Sequence, residues 1–230
     1  MLRLSGVSLP LAEFTLAVDA AFRGPVTGVV GPSGAGKTSL IELIAGLRRP
    51  ATGRLELGTE IFFDTEGPRP QFVPPHRRRI GYVPQDDTLF PHLSVRRNLS
   101  YGIPAGARPF DFERAVDVLE LRSLLDRGTS KLSGGERRRV AIGRAILSAP
   151  SLILCDEPLT GLDRALKGRI LAYLEAVKAE FPIPMVYVAH DAGEIRALAD
   201  EVVVLERGAI RHRGTATGWD GAISEAPETP

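Results

Sequence analysis

Two hydrophobic periods alternate along this chain. Over residues 2–22 apolar side chains recur at every second position in places, as at Phe14, Leu16 and Val18, which predicts early strands. Val26–Val30 is a short apolar run closed by Gly31 and reads as another strand. From Thr38 the period lengthens, and Leu40, Ile41, Leu43, Ile44 and Leu47 fall on one helical stripe. Residues 54–63 again read as strand, whereas 65–75 are dense in Gly and Pro and predict an irregular loop. Ile80–Val83 is strand-like and ends at Pro84-Gln85.

Between 86 and 149 the strand signals stop. Over 112–125, Ala115, Val116, Val118, Leu119 and Leu121 follow a helical pattern, so a helical subdomain inserted at about 86–149 is expected. Apolar runs and helices then alternate: strands at 152–155, 185–189 and 202–205, helices near 164–179 and 192–199. Such alternation predicts an α/β fold whose parallel sheet is covered on both faces. From Gly214 onward Gly, Ala, Thr and Pro dominate, which predicts a flexible tail over 214–230 behind a domain spanning 1–213.

Composition narrows the setting. The 230 residues can bury one sizeable core or two intimate subdomains. A net charge of +1 supplies no global field for nucleic acid, and no nucleic-acid partner is expected. No run approaches the roughly 18 apolar residues that span a bilayer, and residues 1–10 lack a leader pattern. The single cysteine, Cys155, excludes an intramolecular disulfide, reads as a small buried filler, and fits a reducing cytosol.

Three segments carry candidate chemistry. Gly31-Pro32-Ser33-Gly34-Ala35-Gly36-Lys37-Thr38, followed by Ser39, matches a phosphate-binding loop and sits between strand and helix as that loop requires. Its glycines let backbone N–H groups turn toward one centre, and the helix start adds a positive dipole end. Lys37 would reach the β- and γ-phosphates, and the Thr38 hydroxyl would hold Mg²⁺. The apolar run 152–155 delivers Asp156 and Glu157 at a strand's carboxyl end, where open α/β sheets place ligands. Asp156 suits the Mg²⁺ shell and Glu157 the polarisation of water. Ser133-Gly134-Gly135-Glu136 has the capping-box pattern of an ordinary helix start, and also makes a second anion-binding helix start.

With Leu132 in front, that last segment resembles the LSGG[QE] signature of the ABC-family nucleotide-binding subunits. The resemblance runs from about residue 2 to 213. It implies a P-loop NTPase (RecA-like) core with a parallel sheet, an antiparallel β N-terminal part and the helical insert. It also implies that Ser133, Gly134 and Gly135 contact the γ-phosphate of ATP bound to a partner subunit. Gln85 resembles the glutamine that senses metal and nucleophilic water, and His190 the switch histidine on the γ-phosphate. Gly161-Leu162-Asp163 resembles the D-loop, although Thr160-Gly161 stands where Ser-Ala is more usual. An aromatic that stacks on adenine should precede the phosphate loop; Phe14 is the candidate, with a core-facing strand residue as the alternative.

Within the family, residues 89–95 with Asn98 and Leu99 resemble the importer type, in which this face receives a helix of the membrane subunit. His92, Leu93 and Val95 are therefore expected in an exposed docking patch. Phe62-Phe63-Asp64 and residues 74–83 look most like the molybdate and related oxyanion importers. Within that run the arginines 77–79 are expected to be solvated surface. Subunits of that branch usually continue into a C-terminal regulatory domain; the sequence here ends at Pro230.

The resemblance implies an ATPase using ATP and Mg²⁺ and a homodimer formed through an ATP sandwich. It implies integral membrane permease partners, a periplasmic or extracellular solute-binding protein reached indirectly, and a place on the cytoplasmic face of the membrane. An importer for sugar, polyamine or iron is an alternative, as is a soluble ABC ATPase. The soluble type typically carries two cassettes or a long coiled coil, and no sustained heptads occur here. A non-hydrolysing regulator could lack Glu157 or His190, and both are present.

Overall fold

The computed structural model describes residues 1–86, 89–104 and 112–219. In chain order its strands are β1 (Leu2–Pro10), β2 (Thr15–Phe22), β3 (Val26–Val30), β4 (Thr52–Leu57), β5 (Glu60–Asp64), β6 (Gln71–Phe72), β7 (Ile80–Val83), β8 (Leu152–Asp156), β9 (Met185–Val188), β10 (Glu201–Glu206) and β11 (Ala209–Thr215). Its α-helices are α1 (Lys37–Ala45), α2 (Val95–Ser100), α3 (Phe112–Val118), α4 (Gly134–Leu147), α5 (Arg164–Glu180) and α6 (Ala192–Leu198).

All described strands join one sheet, ordered β6-β5-β4-β1-β2-β11-β10-β3-β9-β8-β7. β1, β2, β4, β5 and β6 pair antiparallel, whereas β10, β3, β9, β8 and β7 form a parallel run. β11 joins the halves, antiparallel to β10 and touching β2 in parallel register at Ala209 and Ala17.

Helices cover both faces of the parallel run, so its central strands β3, β8 and β9 are buried throughout and alternate between two cores. Val29, Leu152, Leu154, Val186 and Val188 pack with Leu40, Ile41, Leu43 and Ile44 of α1. Val26, Val30, Ile153, Cys155, Met185 and Tyr187 turn the other way, into the core shared with α4, α5 and α6. Residues 89–104 and 112–147 hold helices and no strand, as the loss of the period-2 signal predicts. Their apolar side chains are continuous with the sheet's second core: Val116, Leu119 and Leu121 join Val140 and Ile146 of α4.

Several expectations need correction. Leu47 lies beyond the left-handed C-cap Gly46 of α1 and is exposed, because the chain has left the helix before the stripe returns. Val95 is fully buried in the first turn of α2, so it cannot belong to a docking patch; His92 is exposed and Leu93 half-buried. Gly214 and Thr215 complete β11, and Ala216 and Trp219 are buried, so the segment read as a tail packs against the core as far as 219. Residues 220–230 lie outside the described residues.

Arg78 is the largest departure. It is fully buried, donating from Nη1 to the Leu43 and Ile44 carbonyls at 2.9 and 2.7 Å and from Nε to the Val73 carbonyl at 2.8 Å. Its guanidinium also stacks near Phe62 and Phe72. The last carbonyls of a helix have no partner within it, and here an arginine from outside supplies one. Gly46 lacks a side chain because a Cβ there would lie 2.5 Å from Arg78 Nε.

Candidate functional site

The phosphate loop leaves β3 at Val30 and enters α1 at Lys37. Gly31 passes so close to β10 that a Cβ would lie 2.0 Å from the Leu205 carbonyl oxygen. Gly36, the N-cap of α1, has φ of 99°, a left-handed conformation that favours glycine. The Lys37 ammonium folds back into the loop, donating to the carbonyls of Gly31 (2.9 Å) and Pro32 (3.0 Å). Burial lowers its pKa, opposed by the Glu157 and Asp156 carboxylates.

β8 and β9 deliver the other groups to the same level. In the parallel register Asp156 lies opposite Val188, so Glu157, one residue past β8, and His190, two past β9, both emerge at the carboxyl edge of the sheet. The Glu157 N–H donates to the Val188 carbonyl at 3.1 Å, and Glu157 adopts φ of 48°, uncommon for a residue with a side chain. His190 Nε2 lies 2.5 Å from Glu157 Oε1, and Lys37 Nζ lies 4.0 Å from that oxygen. The Thr160 hydroxyl donates to Glu157 Oε2 at 3.2 Å. Asp156, at 2% exposure, accepts from the Thr38 hydroxyl at 3.4 Å. Burial pushes its carboxyl above the usual range, with the Thr38 hydrogen bond pulling the other way.

Of these groups Lys37, Thr38, Glu157, Thr160 and His190 border an open cleft of about 850 Å³, with Asp156 buried behind Thr38. Ser33, Gly34, Gly36, Lys37, Thr38 and Ser39 of the loop and α1 line it together with Gln85, Glu157, His190 and Phe14. The Phe14 ring approaches to 3.5 Å of where a Gly36 Cβ would stand. Gln85 is exposed, and its carbonyl and that of Pro84 each accept from Arg138 at 2.8 Å. Among the remaining loop residues, Ala35 is buried and Gly31 and Pro32 serve as carbonyl partners of Lys37.

Ser133, Gly134, Gly135 and Asp163 do not line this cleft. Ser133 caps α4 in a complete capping box, its N–H donating to Glu136 at 2.7 Å and its Oγ accepting from the Glu136 N–H. Asp163 caps α5, accepting from the Leu166 N–H at 2.9 Å. The two helix starts touch: a Cβ on Gly135 would lie 2.5 Å from Leu166 Cδ1.

Sequence reasoning missed Thr160, Glu13 and Arg48, which also line the cleft. Thr160 was noted only as a departure from a motif, although three residues after Glu157 a turn returns its hydroxyl to the carboxylate. For Arg48 and Glu13 the sequence carries no signal, since their placement depends on where loops from distant elements meet.

The residues present suit a magnesium polyphosphate. A glycine loop at a helix start presents N–H groups to phosphate, and a hydroxyl and a carboxylate are the hard oxygen donors that Mg²⁺ prefers alongside substrate phosphates. Cys155, by contrast, is fully buried and its thiol is pushed up to about 12 by desolvation, which leaves it unreactive.

A family model described as ABC transporter matches residues 19–160. The molybdenum import ATP-binding protein ModC of Rhizobium etli is 53% identical over 211 residues, covering 90% of this chain and 58% of that protein. The corresponding ModC of Brucella abortus is 48% identical over 214 residues, covering 91% of this chain and 59% of that protein. The chain thus spans less than two thirds of these relatives' length. Among solved structures, cbiO1 of Clostridium perfringens, part of an ABC transporter complex, aligns with a TM-score of 0.78 at 24% identity over 94% of this chain and 88% of that one. The ATP-binding cassette MJ0796, a dimer in a post-hydrolysis state with ADP and Pi, aligns with a TM-score of 0.75 at 25% identity over 95% of this chain and all of that one.

Proposed function

Because this chain belongs to the ABC transporter family, we propose that it binds Mg-ATP in the cleft beside Phe14 and hydrolyses it as one half of a two-copy ATPase. The observation that carries this reading is the convergence of Lys37 and His190 on one oxygen of Glu157 at the mouth of a glycine phosphate loop. That arrangement joins a phosphate-binding cation, a carboxylate base and an orienting imidazole.

The roles follow from position. Backbone N–H groups of residues 33–39 hold the phosphate chain, and Lys37 supplies a point charge to its terminal groups. Thr38 and Asp156 would hold Mg²⁺, with Gln85 as a further candidate ligand from the cleft lining. When bound, Mg²⁺ neutralises charge that develops on the phosphate oxygens. Glu157 accepts the proton of the attacking water, and His190 keeps that carboxylate turned toward the cleft. Phe14 stacks on the base. Ser133, Gly134, Gly135 and Asp163, which lie off this cleft, complete the nucleotide site of a second copy. The two-fold interface that results needs both copies for each nucleotide.

The names of the relatives point to import of molybdate or a related oxyanion as the process driven. In that setting the chain sits on the cytoplasmic face of the membrane against permease subunits and serves a solute-binding protein through them. Exposed Tyr101, its ring tilted against that of Phe90 with centroids 4.2 Å apart, and exposed His92 suit the permease-facing surface. Among the described residues no helix is long and apolar enough to cross a membrane.

Steady-state phosphate release by the purified chain and by Lys37→Ala tests the reading. The wild type is expected to turn over Mg-ATP, and Lys37→Ala to fall at least about a hundredfold while keeping its thermal midpoint. Near-normal turnover by folded Lys37→Ala contradicts the assignment of the loop.

A further inference from the structure

Three consecutive arginines follow the start of α4, and the helix sorts them by direction. Arg137 is exposed, Arg139 half-buried, and Arg138 is turned inward with 4% of its surface exposed. Arg138 Nη1 donates to the Pro84 carbonyl at 2.8 Å and Nη2 to the Gln85 carbonyl at 2.8 Å. These carbonyls belong to the two residues that follow β7, where the sheet no longer pairs them. A guanidinium fork matches two adjacent acceptors in one plane, and charge-assisted hydrogen bonds of this length are among the stronger ones available.

We infer that Arg138 is a positioning residue for Gln85, and that it ties the place of Gln85 in its own cleft to the place of Ser133 at the start of α4. The inference rests on the two-copy ATPase reading above. Ser133 is the N-cap of α4 and Arg138 lies five residues further on the same helix, about 7.5 Å along its axis. A hydrogen-bonded helix moves as one body over that distance. A displacement of α4 by phosphate at Ser133 is therefore delivered to the 84–85 backbone through two short hydrogen bonds. Ser133 serves the nucleotide of the partner copy, whereas Gln85 lines the cleft of its own chain. Arg138 thus makes occupancy of one nucleotide site bias the hydrolytic geometry of the other.

The chemistry separates this role from simple packing. Arg139, the next residue, donates to the Leu119 and Glu120 carbonyls within the helical region and touches no residue of the cleft. Arg138 alone of the three bridges α4 to a residue of the cleft wall.

The test uses the full chain with Arg138→Lys, which keeps the charge but not the fork, and Arg138→Gln, which can reach one carbonyl. Equilibrium binding of Mg-ATP at protein concentrations where the chain is monomeric is expected to stay within about twofold of wild type. Turnover is expected to fall about tenfold to a hundredfold, as for a misplaced catalytic group, and the Hill coefficient for ATP to drop from above 1 toward 1. Arg138→Lys should recover part of the turnover and none of the cooperativity. Should Arg138→Gln fail to fold, Arg138→Lys carries the same comparison. A merely structural role would lower the melting temperature and weaken binding and turnover together, with the Hill coefficient unchanged; that result overturns the inference. So does a wild-type Hill coefficient of 1, or a folded variant with wild-type turnover and cooperativity. A wild-type chain that hydrolyses no ATP overturns the ATPase reading itself, and this inference with it.

Discussion

His190 Nε2 and Glu157 Oε1 stand 2.5 Å apart at the ends of two neighbouring strands, β9 and β8. The contact is a consequence of register. Asp156 pairs with Val188, so Glu157, one residue beyond β8, and His190, two residues beyond β9, emerge at the same carboxyl edge of the sheet. With Thr160 on Oε2, both oxygens of Glu157 have a partner, and the carboxylate is aimed before any ligand enters.

Replacing His190 with Ala should release that aim without emptying the phosphate loop. Turnover is expected to drop by about 10² to 10⁴, the range for loss of positioned proton-transfer machinery, while the Kd for ATP changes only a few-fold. Rapid-quench turnover and equilibrium binding on the same preparation make the check. Loss of binding in proportion to turnover would place His190 in the ground-state contacts instead.

Phe14 lines the cleft beside Gly36. Phe14→Ala should weaken ATP by about 1–3 kcal/mol, the worth of an aromatic–base stack. Binding of inorganic triphosphate, which has no base, should be unchanged. Isothermal titration with both ligands decides it, and equal weakening of both would return Phe14 to a purely structural place in the loop between β1 and β2.

Asp156 predicts a pH effect of defined sign. Burial raises its folded pKa above the ordinary aspartate value of 3.8. The folded state therefore holds the proton more tightly than the unfolded chain. The associated stability is present in full below the unfolded value and is lost as pH rises through the folded one. At pH 7 the ionised carboxylate is a cost to the ligand-free protein. Asp156→Asn should raise the melting temperature at pH 7, the gain should shrink as the pH is lowered through the Asp156 titration, and stabilisation by Mg-ATP should diminish. Thermal melts from pH 7 to 4, with and without Mg-ATP, test it; a variant less stable than wild type at pH 7 contradicts the sign.

Much of this was legible in the sequence because local pattern and global fold agree. The short, mainly apolar runs at β3, β8 and β9 announce strands covered on both faces, and the glycine octet between β3 and α1 announces the loop. What escaped had a non-local cause. Arg78 reads as surface beside Arg77 and Arg79, and only the arrival of the α1 carbonyls makes a buried site for its charge. Val95 sits among motif residues, yet the capped start of α2 turns it into the core. β11 went unread because His212, Arg211 and Arg213 break its apolar alternation; it pairs with β10 through its backbone. The separation of Ser133 from the phosphate loop is likewise a tertiary fact, and under the proposed two-copy ATPase it is what calls for a second copy.

The central claim is that each nucleotide is held by the cleft of one copy and the Ser133 helix start of the other. Glu157→Gln keeps the shape and hydrogen bonding of the carboxylate but cannot accept the proton of water, so the closed pair should accumulate. Multi-angle light scattering on this variant should give the mass of one chain without nucleotide and of two with Mg-ATP. Adding Ser133→Arg should return the mass to one chain, since a bulky side chain then fills the partner's phosphate site. A Glu157→Gln chain that stays monomeric across a wide range of protein and Mg-ATP concentrations, or a double variant that pairs as well as the single one, would contradict the claim.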